Sequence, residues 1–271
     1  MDRAKCTLDN IEYLATDFEA LSNDEIASKR QHLICIECLS KAFFRRKLKS
    51  GQAACFGARP HKDDCTQKSQ DSGSTIGELS ENDKQLINDG SEIDVDFNYG
   101  TLKSNHVIEN NSEVEASGSA NGKKHSSING IGNAKSQRRL SSLLSILISS
   151  NRDSFIQSNK IINVNGYKYL SSNLFKNIES LKSDYVGKFL AVWGVVDSIG
   201  LQGTSIWLNS AQDTINFGIL VKENERDELF LRYNDIEELV GSYILCFGFL
   251  EKSKNDKLYM VLKDISYITF K

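Results

Sequence analysis

Four residues in the first quarter of the chain have the types and spacing of a metal site. Two residues separate Cys35 from Cys38, and three separate His61 from Cys65. Thiolates and imidazole at such spacings are ligands of tetrahedral zinc, and four protein ligands leave no open position for a substrate. The spacing therefore predicts a closed Cys3His site that holds a structural Zn²⁺.

The segment between the two ligand pairs has the pattern of a β-hairpin. Residues 42–48 are strand-like and basic, residues 49–51 supply a turn, and residues 52–59 return. Such a hairpin would bring the second ligand pair beside the first.

The remaining cysteines are expected to pack rather than to bind metal. Cys55 lies inside the predicted returning strand, where a cysteine behaves as a small hydrophobic residue, so it is only a reserve ligand. Cys6 and Cys246 are predicted to be packing residues. The alternative is that all these thiols form a chance cluster in a reduced protein. A module this small, however, needs a cross-link such as a bound metal ion to be stable, which favours the metal site.

The predicted hairpin also carries the strongest local positive charge. Residues 41–62 contain seven Lys or Arg and no Asp or Glu. A basic segment of this kind can contact phosphates, although it can also be a solvated surface. The candidate phosphate contacts are Lys41, Arg45, Arg46, Lys47 and Arg59.

Together these motifs resemble the zinc-binding N-terminal modules of competence-associated CoiA-like proteins and of other proteins of bacterial mobile elements. The resemblance rests on Cys35-x2-Cys38, on Phe43-Phe44-Arg45-Arg46, and on Phe56-Gly57-Ala58-Arg59 before His61 and Cys65. It implies DNA handling. Some relatives continue with a nuclease domain, whereas this chain continues with a polar segment and a β-rich domain, so the resemblance does not transfer catalysis.

Residues 181–271 are predicted to form a five-stranded barrel. Apolar residues alternate along five strands, with charged, helix-compatible residues 223–240 between the third and fourth. The strands are residues 190–196, 205–209, 214–221, 242–251 and 258–270. Three strands, a helical connection and two strands is the order of the OB barrel. The apolar runs around Gly194 and Gly248 resemble nucleic-acid-binding OB domains of the tRNA-anticodon-binding type.

Two tryptophans are candidates for stacking on unpaired bases. Alternation places Leu190 and Val192 inside the barrel, so Trp193 and Trp207 are predicted to point outward. Outward aromatic residues on OB strands can stack on bases. The alternative is that they pack under the segment that precedes the barrel.

The rest of the chain is predicted to divide into helical, disordered and packing segments. A helix is expected over residues 7–30, in a module of residues 1–65. Residues 66–135 are polar, with isolated apolar positions, and are predicted to be a disordered linker that includes the acidic run 92–97. Residues 136–180 are predicted to hold a helix at 140–148 and a hairpin at 161–170. This helix either packs on the barrel or binds a partner.

Composition narrows the class of protein. The chain has 271 residues, 39% of them hydrophobic, and no apolar run long enough to cross a membrane. The charged N-terminus lacks a signal-peptide core, so a cytoplasmic protein is expected. The fold class is mainly β with some α.

Function is predicted to be non-enzymatic binding of nucleic acid, in particular single-stranded DNA. The four histidines lie in the zinc region or the linker, and there is no glycine-rich phosphate loop, so no catalytic set is evident. Against this prediction, residues 181–271 carry 10 basic and 13 acidic residues. The alternative is therefore an adaptor whose acidic OB domain docks onto a partner protein.

Overall fold

The computed structural model describes residues 1–68, 92–97, 136–212, 215–233 and 235–271. These residues form an N-terminal module, a central sheet unit and a C-terminal barrel, each with its own hydrophobic cluster. None of the helices in the described ranges has the length and apolar character needed to cross a membrane.

The N-terminal module is built from short elements around a core of phenylalanines and cysteines. Its elements are β1 (Arg3–Cys6), β2 (Glu12–Leu14), α1 (Ala15–Glu19), α2 (Asn23–Lys29), a 3-10 turn (Arg30–His32), β3 (Leu33–Ile34), β4 (Ala42–Arg45) and β5 (Cys55–Ala58). Strands β2-β1-β3 form one sheet and β4-β5 form the predicted hairpin.

The predicted helix over residues 7–30 is wrong in its first half. Asn10 adopts a left-handed φ of +62°, and the Asp9 carboxylate accepts the Ile11 N–H, which closes a turn between β1 and β2. Short polar side chains of this kind compete for the backbone and interrupt helices. Helix α2 instead begins at Asn23, and the preceding Ser22 caps it by forming a capping box with Glu25.

The central sheet unit joins strands that are distant in sequence. Its elements are β6 (Glu92–Asp96), β7 (Ser136–Arg139), α3 (Leu140–Leu147), α4 (Arg152–Gln157), β8 (Ile161–Val164), β9 (Tyr167–Leu170), α5 (Ser171–Leu174) and β10 (Phe175–Asn177). The strand order is β7-β6-β8-β9, with β6 parallel to both neighbours. The helix at 140–148 and the hairpin at 161–170 are confirmed, and the helix packs on the barrel.

The prediction of a disordered linker is wrong for residues 92–97. Ile93 and Phe97 are buried, and Asp94 accepts a hydrogen bond of 2.6 Å from Asn163. The sequence of this run favoured a solvated segment because its strand partners, β7 and β8, lie far along the chain. Residues 66–68 continue the N-terminal module, and the remainder of the predicted linker, 69–91 and 98–135, lies outside the described residues.

The C-terminal domain follows the predicted strand order. Its elements are β11 (Phe189–Val195), β12 (Ser198–Gln202), β13 (Ser205–Gln212), β14 (Ile215–Val221), α6 (Glu223–Arg232), β15 (Tyr243–Phe249), β16 (Glu251–Lys252), β17 (Leu258–Val261) and β18 (Ile268–Phe270). The sheets are β10-β11-β15-β18 and β12-β13-β14-β17-β16. Strands β11 and β12 are two parts of one bent strand, and so are β15 and β16. The pairings, including parallel β14–β17, therefore follow the OB order.

The predicted interior face of the barrel is confirmed. Alternating residues of the strands are buried in one cluster, which includes Leu190, Val192, Val196, Ile206, Leu208, Phe217, Leu258, Met260 and Leu262. Burial of this alternating set fixes which side chains the barrel presents outward.

Candidate metal centre and nucleic-acid interface

The four predicted metal ligands meet at one point. One ligand atom from each of Cys35, Cys38, His61 and Cys65 lies within 4.8 Å of the others. The sulfurs of Cys35 and Cys65 are 3.8 Å apart, and Cys38 Sγ is 3.3 Å from His61 Nδ1. Sulfurs bound tetrahedrally at about 2.3 Å would be about 3.8 Å apart, so the donor set fits a metal ion of this kind.

A tight turn positions the first ligand pair. Leu39 adopts a left-handed φ of +60°, its N–H donates to the Cys35 carbonyl, and the Cys35 N–H donates to the Ser40 carbonyl. Desolvation raises the pKa of the Cys38 thiol, but hydrogen bonds from Ser40 and from the Lys62 backbone prevail and hold that pKa at about 5. The turn therefore stabilises a thiolate, the form that binds metal.

A carboxylate clamp ties the second ligand pair to the first. Glu37 accepts hydrogen bonds from the Thr66 N–H at 2.8 Å and from the Thr66 hydroxyl at 2.6 Å. These bonds lower the pKa of Glu37. Because Thr66 follows Cys65, the clamp fixes the end of the module beside the Cys35–Cys38 turn.

The other cysteines lie outside this cluster. Cys55 is half-buried in β5 opposite Arg45, as predicted for a residue of the returning strand. Cys6 and Cys246 are buried, and burial raises the pKa of Cys246 to about 12. The structure thus brings together the four predicted ligands without the reserve residue.

The basic hairpin faces the barrel, which sequence reasoning did not anticipate. Arg45 Nε donates to the Val240 carbonyl at 3.0 Å, with Nη2 on the same oxygen. Lys41 pairs with Asp197 at 3.3 Å. Both side chains are half-buried and hold the module on the barrel, and their role as phosphate contacts stays a prediction.

The remaining predicted cations have different surroundings. Arg46 donates to the Asn23 side chain at 2.9 Å, and Lys47 is exposed, with its backbone N–H bonded to Glu19. Arg59 lies over the Tyr243 ring at 5.8 Å. Of the predicted cationic set, Lys47 is thus the exposed residue, whereas Arg46 is half-buried and lies close enough to Glu237 of the barrel to lower the pKa of that carboxyl group.

Trp193 does not offer a stacking surface. It is 4% exposed and packs in the cluster of the central sheet unit, with Leu143 and Phe175 among its members. Trp193 points away from the barrel interior, as predicted. The alternative prediction for its surroundings is confirmed, because the ring packs under the segment that precedes the barrel.

Trp207 lies on the outer face of the other sheet. Its ring contacts Tyr259 edge-on with centroids 5.8 Å apart, and Lys257 Nζ is 4.3 Å from its centroid. Lys257 also donates to Asn209 at 2.9 Å. A Cβ at Gly218 would lie 3.0 Å from the Trp207 ring, so this glycine lets the indole lie close to β14.

Sequence reasoning missed Lys257, Tyr259 and Asn209 as partners of Trp207. The alternation that singled out Trp207 also places Asn209 on the same face, and this signal was available. Tyr259 reaches this face through the parallel pairing of β14 and β17. Long-range pairing of this kind is not encoded in local periodicity.

These features define a protein that joins a Cys3His module able to hold a metal ion to an OB-type barrel. Solved structures similar to this chain include OBody AM1L10 bound to hen egg-white lysozyme (18% identity, TM-score 0.27, 35% of this chain and 91% of that one). Others are asparaginyl-tRNA synthetase from Pyrococcus horikoshii (15%, TM-score 0.28, 35% and 22%) and a putative aspartyl-tRNA synthetase from Leishmania major Friedlin (10%, TM-score 0.26, 35% and 20%). The matched region spans only about a fifth of the synthetases.

No family model matches the chain, and no curated protein matches it either. The assignment of the barrel rests on the strand pairing described above.

Proposed function

We propose that this protein binds single-stranded nucleic acid, with single-stranded DNA as the principal ligand, and performs no catalysis itself. The observation that carries this proposal is the outer face around Trp207, where Tyr259, Lys257 and Asn209 combine aromatic rings with a cation and an amide. Unpaired bases stack on aromatic side chains, and a neighbouring ammonium attracts the phosphate. In OB domains the face of the second and third strands is the ligand surface, and Trp207 lies on the second.

In this proposal Zn²⁺ occupies the Cys3His cluster and acts structurally. Three thiols and one imidazole are the donor set of structural zinc, and all four positions of a tetrahedral ion would be filled by protein. The ion would fix the Arg45 hairpin against Val240 and so hold the module on the barrel. Arg46 and Lys47 would add positive charge from the same hairpin.

The test is fluorescence anisotropy of labelled single-stranded DNA, duplex DNA and RNA at two salt concentrations. The proposal predicts salt-sensitive binding that favours single strands. Trp207→Ala should reduce the binding free energy by about 1–3 kcal/mol, the range for one stacked base. Tyr167→Ala is the matched control, because Tyr167 is an exposed aromatic residue on β9 and lies away from this face.

Two results would contradict the proposal. One is equal binding by Trp207→Ala and the wild-type protein. The other is no binding of any nucleic acid at low salt together with a partner protein that co-purifies, which would favour an adaptor role for the barrel. That role has its own support in the exposed Phe230 and Leu231 on α6.

A further inference from the structure

A cavity of about 790 Å³ opens where the N-terminal module, the central sheet unit and the barrel meet. Its volume lies within the range of about 300–1,000 Å³ found for small-molecule sites. Trp193, Gly194 and Val195 of β11 form its barrel wall, so it adjoins the sheet that contains β11 and β15. The Trp207 face belongs to the other sheet, and the two sites are separate.

Three cations line this cavity, and each lies over an aromatic ring that also lines it. Two are arginines, contributed by the N-terminal module and the central sheet unit, and the third is a lysine of β10. The pairs are Arg59 over Tyr243 at 5.8 Å, Arg152 over Trp193 at 5.5 Å, and Lys176 over Tyr185 at 5.2 Å. Guanidinium planes and aromatic rings are the groups that stack on nucleobases, and the same cations attract phosphate.

The lining also carries two acids, Asp153 and Glu179. Both are exposed, and Asp153 pairs with Arg152 at 2.8 Å. Three cations against two acids leave a net charge of +1 on the lining. An arginine has five N–H donors, so the two bonds that Nε and Nη2 donate to Asp153 leave Arg152 with further donors for an anion.

Trp193, which lines the cavity, contains a polar group without a partner in the described part of the chain. Its indole N–H is buried and has no hydrogen-bond partner among the described residues. Buried donors normally have a partner in the protein, in ordered water or in a ligand. The unpartnered N–H therefore lies on a residue that lines the cavity, although the nitrogen itself is buried behind the cavity surface.

We propose that this cavity binds a nucleotide, with the phosphate between Arg59 and Arg152 and the base against the aromatic wall of Tyr185 and Tyr243. Arg59 lies two residues before His61, so the metal centre positions one side of the site. The site does not depend on the Trp207 face, and either one can fail in an experiment without the other.

The test uses the 271-residue chain with Trp207→Phe, which leaves Trp193 as its one tryptophan. AMP, inorganic phosphate and a 5′-phosphorylated oligonucleotide are titrated while Trp193 fluorescence and the heat of binding are recorded. AMP should bind more tightly than phosphate. Arg59→Gln and Arg152→Gln should each weaken AMP about tenfold, the loss expected for one charge-assisted hydrogen bond. Arg3→Gln is the control, because Arg3 is exposed on the same module and does not line the cavity.

A much tighter 5′-phosphorylated oligonucleotide would support the proposal and identify a strand end, rather than a free nucleotide, as the source of the ligand. Three outcomes would overturn it: no fluorescence change or heat with AMP at millimolar concentration, unchanged affinity in both arginine variants, or phosphate binding as tightly as AMP. Arg152→Gln lies outside the N-terminal module, so it keeps the test valid if Arg59→Gln disturbs the metal centre. Circular dichroism of each variant checks that the fold is retained.

Discussion

The ring of Phe43, in the hairpin of the N-terminal module, lies directly against Gly241 of the barrel. A Cβ at Gly241 would be 2.1 Å from Cζ of Phe43, and one at Gly57, across the hairpin, would be 2.3 Å from the same atom. Phe43 is thus held between two glycines, one from each part of the protein. Together with the Arg45–Val240 bonds, this contact fixes how the module sits on the barrel.

Gly241→Ala should therefore destabilise the protein by more than the backbone strain alone. Gly241 has a φ of +82°, and the added methyl group would also collide with Phe43. Gly203→Ala is the control, since Gly203 has a φ of +58° but nothing within 4 Å of the added atom. Overpacking costs about 1–3 kcal/mol beyond the shared strain. Urea unfolding followed by circular dichroism measures the difference, and equal losses would show that Phe43 does not occupy this position.

Removal of metal should release the module from the barrel. The protein as purified should carry one zinc per chain by mass spectrometry under native conditions, and Cys38→Ser or Cys65→Ser should lose it. Cys55→Ser is the matched control and should keep it, because Cys55 lies outside the ligand cluster. In the chelated protein, trypsin should cut at Lys41 and Arg45, which the docked hairpin protects. Full zinc content in Cys65→Ser would refute the proposed ligand set.

Arg45→Met should cost stability because the Val240 carbonyl loses its charged donor. Hydrogen bonds to charged groups contribute about 1.5–3 kcal/mol each. Arg46→Met tests the same change one position along, where the arginine makes an exposed bond to Asn23, and should cost less than 1 kcal/mol or so. Thermal unfolding of both variants compares them. A larger loss in Arg46→Met would contradict the docking described here.

Glu237 should make the barrel less stable as pH rises. Burial raises its pKa above the ordinary value of 4.5, and the nearby Arg30 only partly opposes this effect. A carboxyl group with a raised folded-state pKa contributes stability below its unfolded pKa, and that stability is lost as pH rises through the folded value. Glu237→Gln should therefore gain stability relative to wild type as pH increases from 4.5.

The measurement for Glu237 is urea unfolding at a series of pH values between 4 and 8. The exposed Glu223 on α6 provides the control variant Glu223→Gln. A constant difference between Glu237→Gln and wild type across this range would show that the buried carboxyl group does not titrate as inferred.

The sequence by itself indicated the four residues of the Cys3His cluster and the strands of the barrel. Cys35, Cys38, His61 and Cys65 could be recognised because coordination chemistry limits residue types and local spacing. The positions of the barrel strands along the chain followed from alternation, since a half-buried strand must repeat every two residues. Both signals are local, because they depend on residue type and on short-range spacing.

Only the tertiary structure decided which residues predicted to lie at the surface are buried by another part of the protein. Trp193 is outward-facing on its strand, and Arg45 is a basic residue of a hairpin, yet one packs under the central sheet unit and the other bonds to Val240. The acidic run at 92–97 became a strand because parallel partners on both sides supply its hydrogen bonds. Contacts between segments distant in sequence depend on the packing of whole units, and a local pattern contains no record of that packing.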